Sequence, residues 1–481
     1  MPTTTRRWRA FALLAVANFM TIIDLTIVNV AMPTIGHDLG FSADNLSWIV
    51  TAYGIAFGGL LLLAGRAADL LGRRRVFMTG LALFTAASLA CGLATTDTFL
   101  IVVRAIQGAG AATVLPAGLA IVMNMFPEGA ERNKALGAWG ALGPLGAAVG
   151  VIAGGLLVDS LGWQYIFFLN VPIGLVALAL APRVVPEGRL DATSRRYDVP
   201  GGAAITAALM VTVYGIATAP QHGWWSAQTV SALVAGSILL VAFFVIEANV
   251  SAPLLPLRLL RNRHLSGANA VALLLGGSFF PLLFVGALYM QQVLGYSALH
   301  TGFAWLAMCV ASLAFAGPAQ MLVTRLGVRP MLGLGMVLIG GGIALATRVP
   351  THGHYWTDLA APLIVTGAGT AFAFIPISIA GLTGVAERDS GLASGLINTT
   401  QQLGGSLGVA LAATVAATRT SALLAAHRPA ADALTGGFTR AFVVAAAIGV
   451  SGIALALIVP RQRAVPADAP PADPALVTVG R

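Results

Sequence analysis

Charged residues are scarce in this chain. Aspartate, glutamate, lysine and arginine make up 9% of its 481 residues, whereas an ordinary soluble domain has about 25%. Hydrophobic residues make up 57%, and the mean hydropathy is +0.86. This composition predicts a protein embedded in lipid. The net charge of +9 does not indicate a nucleic-acid partner, because the basic residues cluster in short loops between apolar runs.

Cysteine is almost absent, and histidine shows no metal-binding pattern. Cys91 and Cys309 both fall inside apolar runs, where they are expected to pack as small hydrophobic residues. The seven histidines lie in loops or at the ends of apolar runs, without the spacing of metal ligands. We therefore expect no metal and no cofactor. A catalytic constellation and a sizeable soluble domain are also lacking, which argues against an enzyme or a membrane sensor.

Fourteen apolar runs are long enough to cross a bilayer, which takes about 17 to 25 residues. Along the chain they divide into groups of six, two and six. We expect an all-α integral membrane protein with a cytoplasmic N-terminus (1–9), an N-terminal six-helix half (10–181), a central two-helix insert with its flanking loops (182–264), a C-terminal six-helix half (265–459) and a disordered cytoplasmic tail (460–481). The expected spans are 10–32, 48–64, 76–94, 99–126, 135–158, 163–181, 200–219, 225–248, 265–294, 301–323, 330–347, 359–383, 391–418 and 439–459.

The basic residues predict the orientation of these spans. Of the 27 lysines and arginines, 22 fall in alternate loops on the side of the N-terminus, four fall on the opposite side, and Arg104 lies within a span. Loops on the cytoplasmic side carry the excess of positive charge. We therefore expect a multi-pass protein of the cytoplasmic (inner) membrane with both termini in the cytoplasm.

Two charged residues within spans are candidates for function, because an ionisable group at membrane depth costs about 2.5 to 3.5 kcal/mol to insert. Asp24 lies 14 residues into the first span, a rise of about 21 Å, and Arg104 lies about 8 Å from the outer end of the fourth. Both are thus expected about 8 to 9 Å below the outer surface of a core about 30 Å thick. An ion pair is feasible if the two helices adjoin. Its role is either proton coupling or static attachment of two helices.

Polar and aromatic residues on other spans predict either a substrate cavity or helix contacts. Ser394, Asn398, Gln401, Gln402 and Ser406 recur at three- and four-residue spacing on one face of the thirteenth span. The ninth span carries a second group at its outer end. The cavity candidates are Asn29, Gln107, Phe284, Tyr289, Gln291, Gln292, Asn398, Gln401 and Gln402.

Glycine is concentrated in two places that we expect to shape the helix contacts. Gly146, Gly150, Gly154 and Gly155 allow a close approach between two helices. The segment 65–79 is expected to form a tight cytoplasmic turn that latches two helices together. Its candidate gating residues are Gly65, Asp69, Gly72, Arg73 and Arg74.

These motifs together resemble the fourteen-helix drug/proton antiporter family of the major facilitator superfamily, over roughly residues 11–459. Segment 24–33 resembles the first-helix motif, 65–75 the cytoplasmic loop signature, 104–110 the fourth-helix motif and 163–174, ending in Asn-Val-Pro-Ile-Gly, the sixth-helix signature. The antiporter motif of the fifth helix has a proline where this chain has Val151. Pro144 lies about two turns earlier, where it is positioned to supply the bend.

The resemblance implies the major facilitator fold, in which two six-helix halves enclose a midplane cavity and rock to give alternating access. It implies proton coupling through Asp24 and Arg104, and a gate at 65–75. The leading hypothesis is a monomeric, proton-driven exporter of drug-like or secondary-metabolite compounds, whose partners are protons, the substrate and the bilayer. The departure at Val151 leaves a proton-coupled uptake or metabolite carrier as the alternative.

Overall fold

A computed structural model of the protein describes residues 4–42, 45–126, 130–187, 199–250, 253, 257–385 and 390–460. All regular structure in these ranges is helical. The helices are α1 Thr4–Asp38, α2 Trp48–Leu71, α3 Arg73–Gly92, α4 Asp97–Met125, α5 Ala130–Ser160, α6 Gln164–Phe168, α7 Asn170–Val184, α8 Val199–His222, α9 Ala227–Asn249, α10 Leu257–Leu260, α11 Arg263–Leu288, α12 Ala298–Leu326, α13 Val328–Ala346, α14 Ala360–Leu382, α15 Ser390–Ala425 and α16 Ala430–Ile458, with π-helical turns at Tyr289–Val293 and Tyr355–Leu359.

Eleven of the described helical segments are long and apolar enough to cross a membrane. Three further apolar segments, Trp48–Leu61, Leu145–Ser160 and Pro200–Ile216, are shorter and belong to α2, α5 and α8. The expectation of an all-helical membrane protein is therefore confirmed for the described residues. The sixth expected span consists of two helices, because Leu169 separates α6 from α7.

The same pattern of helix contacts occurs twice in the chain. Helix α1 packs against α5 as α11 packs against α15, and α2 packs against α4 as α12 packs against α14. Helix α3 likewise contacts α4 and α7 in the way that α13 contacts α14 and α16. Two halves with equivalent internal packing are what a duplicated six-helix unit produces.

The two halves meet along two seams, one between α2 and α15 and one between α5 and α12. Helix α8 lies over the first seam and contacts both α2 and α15, whereas α9 packs mainly against α8. Ile55, Val213 and Ala410, one from each of the three helices, form a small buried cluster there. The inserted pair is thus attached to both halves through α8.

The candidate gating segment 65–79 contains a shorter turn than expected. Within segment 65–79, Gly72 alone lies outside a helix, since α2 continues to Leu71 and α3 begins at Arg73. Gly72 has a φ of +102°, a backbone region in which a side chain is strained. Gly327, with a φ of +84°, joins α12 to α13 in the same way. The expected loop is therefore mostly helix, because glycine can reverse the chain within one residue.

The segment between the last two expected spans is also more helical than the apolar runs indicate. Helix α15 continues to Ala425 and α16 begins at Ala430, so four residues connect them instead of about twenty. Hydropathy detects only the lipid-spanning part of a helix, and the alanine-rich sequence continues the helix beyond it. The tail expected at 460–481 lies outside the described residues except for Pro460.

Candidate functional site

Asp24 of α1 and Arg104 of α4 form a buried ion pair. The Arg104 Nη1 atom lies 2.6 Å from Asp24 Oδ2, and the two side chains are 1% and 0% exposed. The similar depth of the two residues in their spans is thus matched by direct contact. Because a buried charge is costly without a partner, each residue requires the other for stability.

The second carboxylate oxygen of Asp24 is also fully engaged. Gln107 Nε2 donates to Asp24 Oδ1 at 2.8 Å, and Asn170 Nδ2 donates to it at 3.0 Å. Ser88 Oγ accepts from both amides, at 2.8 Å from Gln107 and 3.5 Å from Asn170. All four residues are at most 1% exposed. Helices α1, α3, α4 and α7 therefore converge on a dry polar cluster, which we call the Asp24 cluster.

Arg104 is held by the backbone and by aromatic rings in addition to Asp24. Its Nε donates to the carbonyl oxygen of Ile49 at 3.1 Å, and its Nη1 also donates to Gln107 Oε1. Its guanidinium carbon lies 4.3 Å from the centre of the Tyr53 ring and 5.7 Å from that of Phe167. Rings in this position attract a desolvated cation. Arg104 is therefore linked to α2 as well as to α1.

The arrangement of donors suits an ionised Asp24. Three N–H donors point at the carboxylate, and an ionised carboxylate only accepts hydrogen bonds, so it matches all three. Binding a proton there would replace an acceptor by a donor and would disturb the whole cluster. A proton at Asp24 would therefore change hydrogen bonds that join α1 to α4 and α7.

Sequence reasoning missed several members of this cluster. Ser88 is an isolated serine in an apolar run and carries no pattern that distinguishes it. Asn170 lies in the segment resembling the sixth-helix signature, and a single asparagine at membrane depth was a usable signal. Gln107 is fully buried against Asp24 and Arg104 rather than lining a cavity. Its assignment as a cavity candidate stays a prediction.

Arg74 joins α3 to the end of α7 at the Gly72 end of the bundle. It forms an ion pair with Glu187 at 2.7 Å and donates to the carbonyl oxygens of Pro182 and Val185 at 3.3 and 3.2 Å. A cation at a helix C-terminus interacts favourably with the helix dipole. Arg73 is buried, and Gly65 lies near Pro116. The side chain of Asp69 lies outside the described residues.

The glycine motif of α5 serves two different contacts. Gly146, Gly150 and Gly154 lie against α1, whereas Gly155 lies against the first turn of α12. A Cβ atom added to Gly155 would be 2.7 Å from the carbonyl oxygen of Ala298. A Cβ atom added to Gly302 of α12 would be 2.6 Å from the carbonyl oxygen of Val151. The motif thus positions α5 against both its own half and the opposite one.

The cavity candidates occupy varied environments. Asn29 and Asn398 each donate to a carbonyl oxygen one turn earlier in their own helices. Tyr289 donates to Pro350 O at 2.6 Å, and Gln291 donates to Val30 O at 2.8 Å, which connects the two halves. The remaining candidates range from buried to exposed: Phe284 and Gln402 are buried, Gln401 is half-buried and Gln292 is exposed. Their role in binding substrate stays a prediction.

Among the described residues, no group of three or more histidine, cysteine, aspartate or glutamate side chains is arranged to hold a metal ion. The Asp24 cluster instead combines a carboxylate, a guanidinium, amides and a hydroxyl, a donor set suited to holding or moving a proton. Geometry alone does not identify the cargo that such a proton would accompany.

Comparison with known proteins narrows the assignment. Residues 14–409 match the sequence profile of the Major Facilitator Superfamily. The puromycin resistance protein pur8 of Streptomyces alboniger is 37% identical over 94% of this chain and 90% of its own. The cephamycin export protein CmcT of Amycolatopsis lactamdurans is 36% identical over 97% and 95%, respectively.

Solved structures support the same fold. An auto-inhibited POT family peptide transporter superposes with a TM-score of 0.69 at 15% identity, covering 96% of this chain and 99% of its own. A bacterial homologue of the human lysosomal transporter Spinster, in an inward-facing and unoccupied conformation, gives a TM-score of 0.67 at 14% identity, with 95% and 98% covered. At this level of identity the likeness concerns the fold alone.

Proposed function

Because this chain belongs to the major facilitator superfamily, a family of membrane transporters, we propose that it exports drug-like or secondary-metabolite compounds in exchange for protons. The observation that carries the proposal is the buried pair of Asp24 and Arg104, a titratable carboxylate held at membrane depth by a permanent cation. The names of the two relatives, a puromycin resistance protein and a cephamycin export protein, support export of such compounds. In this proposal the chain is a monomeric carrier that needs no cofactor.

Asp24 is the proposed proton carrier, and Arg104 modulates it. A carboxylate's affinity for protons depends on its burial and on nearby charge. A transporter that alternately exposes Asp24 to the two sides of the membrane can therefore load a proton on one side and release it on the other. Exchange with a substrate follows if protonation and substrate binding favour opposite orientations of the two halves.

We also propose fourteen spans in the cytoplasmic membrane, with both termini in the cytoplasm. The eleven long apolar helices and the three shorter apolar segments support the count, and the distribution of arginine supports the orientation. In this arrangement Gly72 and the Arg74 to Glu187 ion pair lie on the cytoplasmic side. The domain limits proposed are the two halves, 10–181 and 265–459, and the insert, 182–264.

Drug susceptibility tests the function directly. The chain is expressed in a bacterial host that lacks its own efflux pumps, beside an empty vector and Asp24→Asn, over a panel that includes puromycin and cephamycins. Intact protein is expected to raise the inhibitory concentration of at least one compound. Asp24→Asn is expected to lose this protection at equal membrane abundance. Full protection by that variant would exclude Asp24 as the proton carrier.

Transport direction separates export from the alternative, a proton-coupled uptake or metabolite carrier. The alternative is left open by Val151, which stands where the antiporter motif has a proline. In inverted membrane vesicles, an exporter accumulates its compound when the lumen is acidified. Efflux of preloaded compound under the same gradient would instead identify an uptake carrier.

A further inference from the structure

The amide of Gln107 uses all of its hydrogen-bonding capacity within the Asp24 cluster. Its Nε2 donates to Asp24 Oδ1 and to Ser88 Oγ, both at 2.8 Å. Its Oε1 accepts from Arg104 Nη1 and, at 3.6 Å, from Cys91 Sγ. An amide offers two N–H donors and one oxygen with two lone pairs, so no further bond is available. Gln107 thus contacts Asp24 through its amide nitrogen and Arg104 through its amide oxygen.

The direction of every hydrogen bond around Asp24 is fixed. Ser88 donates its hydroxyl proton to the carbonyl oxygen of Phe84 at 2.8 Å and therefore accepts from the two amides. Asp24 faces N–H donors from Arg104, Gln107 and Asn170. A proton added to Asp24 would meet these donors and would lack an acceptor. Asp24 can therefore become neutral without penalty only if one of these groups turns an oxygen toward it.

We propose that Gln107 is a positioning residue that couples protonation of Asp24 to release of Arg104, by rotating its amide half a turn. The proposal rests on the proton exchange proposed above. A hydronium ion of the aqueous phase gives its proton to Asp24 when the site opens and leaves as water, and the new O–H donates to Gln107 Oε1 in its rotated position. The Ser88 hydroxyl turns from Phe84 O to the same oxygen. The Gln107 NH₂ group then faces Arg104 Nη1, so that two donors meet where a hydrogen bond had been.

Release would move Arg104 from α1 toward α2. Once Asp24 is neutral and Gln107 has rotated, the closest contacts that remain to Arg104 are the carbonyl oxygen of Ile49 and the ring of Tyr53, both on α2. The ring of Phe167, on α6, lies farther away at 5.7 Å. The next residue of α2, Gly54, lies directly against the side chain of Ser406 on α15. A change at Arg104 would therefore reach the seam between the two halves through one helix. The two states that such coupling needs differ at Arg104. In one state Arg104 is paired with Asp24 of α1, and in the other it has lost this ion pair and retains its contacts on α2.

Spin labels can test this coupling without a transported compound. Ser160 of α5 and Trp356, before α14, are exposed and lie in different halves at the same end of the bundle. Both native cysteines are buried and stay in place. Labels on Ser160→Cys and Trp356→Cys report the distance between the halves in nanodiscs by double electron–electron resonance. The distance distribution is recorded between pH 5 and pH 9 in the labelled protein and in three variants of it.

Gln107→Met removes all four hydrogen bonds at nearly constant volume, and Asp24→Asn removes the titrating group. Asn269→Leu removes the hydrogen bonds of another buried amide, on α11 and outside the Asp24 cluster, and serves as the control. The labelled parent and Asn269→Leu are expected to shift between two distance populations as pH changes. In Gln107→Met and Asp24→Asn, the pH-induced change in the ratio of the two populations is expected to be at least about tenfold smaller. A factor of this size lies within the usual range of coupling between sites.

Each outcome decides between the two proposals. A normal response in Gln107→Met with none in Asp24→Asn would overturn the role of Gln107 and leave Asp24 as the proton site. A normal response in Asp24→Asn would overturn both. A parent protein without any pH response would overturn the coupling, while the efflux assay would still test Asp24. If Gln107→Met does not fold, Gln107→Glu replaces it, because a carboxylate has no N–H groups to exchange with oxygen on rotation.

Discussion

Asp159, in the last turn of α5, accepts a hydrogen bond at 3.1 Å from the backbone N–H of Leu299, in the first turn of α12. The two residues belong to opposite halves. A carboxylate opposes the dipole of its own helix at the C-terminus but favours the N-terminus of the helix that it faces. Asp159 therefore gains from this contact only while the halves are closed at this end.

Replacing Asp159 by alanine should favour opening at this end. Loss of a cap of this kind costs about 1 kcal/mol, which corresponds to roughly a fivefold change in the ratio of closed to open protein. Reaction of a cysteine introduced at His300, which is exposed beside Leu299, measures the change through its rate of modification. Asp97→Ala, at a half-buried acid at the start of α4, is the control. Equal rates in the two variants would exclude Asp159 as a latch.

A methyl group at Gly155 should disturb the seam between α5 and α12. The added Cβ would lie 2.7 to 2.8 Å from backbone atoms of Ala298 and Leu299, which cannot move aside as a side chain can. Overpacking of this kind costs about 1 to 3 kcal/mol. Gly155→Ala should thus lower the thermal unfolding temperature measured in detergent.

The same substitution at Gly143, also on α5, is the matched control. An added Cβ there has no described atom within 4 Å, and alanine favours helix over glycine by about 0.5 to 1 kcal/mol. Gly143→Ala should be neutral or slightly stabilising. If both variants unfold at the same temperature, the close approach at Gly155 is not a determinant of packing.

Arg104 should be harder to replace alone than together with Asp24. Arg104→Gln leaves Asp24 as a buried carboxylate without its cation, a change that costs about 3 to 5 kcal/mol. The double variant Asp24→Asn with Arg104→Gln replaces both charges by neutral groups that can bond to each other. Its unfolding temperature should lie closer to that of the parent protein. A double variant less stable than Arg104→Gln would contradict this account.

Gly72 should tolerate no side chain. Its backbone conformation, with φ +102° and ψ 121°, costs a residue with a side chain about 1 to 3 kcal/mol. Gly72→Ala is expected to reduce thermal stability and transport together. Gly341→Ala, on α13, is the comparison, because an added Cβ there has no described atom within 4 Å. Loss of transport in Gly72→Ala at unchanged stability would instead assign this residue to gating itself.

The helical membrane character could be predicted from the sequence, because each span appears there as a long apolar run. It also indicated Asp24 and Arg104, because a charge at membrane depth is rare enough to stand out. Adjacency of α1 and α4 was an assumption, since span order alone does not determine which helices touch. The depth estimate placed the two residues at the same level and could not place them side by side.

Other parts of the site depend on packing that no local pattern encodes. Ser88 and Gln107 resemble many polar residues scattered in membrane helices, and three-dimensional contact alone separates a cluster member from a cavity residue. The end of α15 and the length of the turn at Gly72 differ from the expected ones for another reason. Hydropathy measures the lipid-facing portion of a helix, whereas helix length follows backbone propensity and the availability of a glycine at the reversal.

Helix α8 gives the two flanks of this transporter different surroundings. Thr414 of α15 donates to the carbonyl oxygen of Ile216 on α8, and Thr206 of α8 presses against Gly59 of α2. Helix α8 therefore keeps lipid from the α2 and α15 flank, whereas no helix in the described part of the chain packs over the α5 and α12 flank in the same way. A bilayer that changes in thickness or tension would therefore act unequally on the two seams. The insert thus makes the two flanks of an otherwise twofold-symmetric protein unequal within the plane of the membrane.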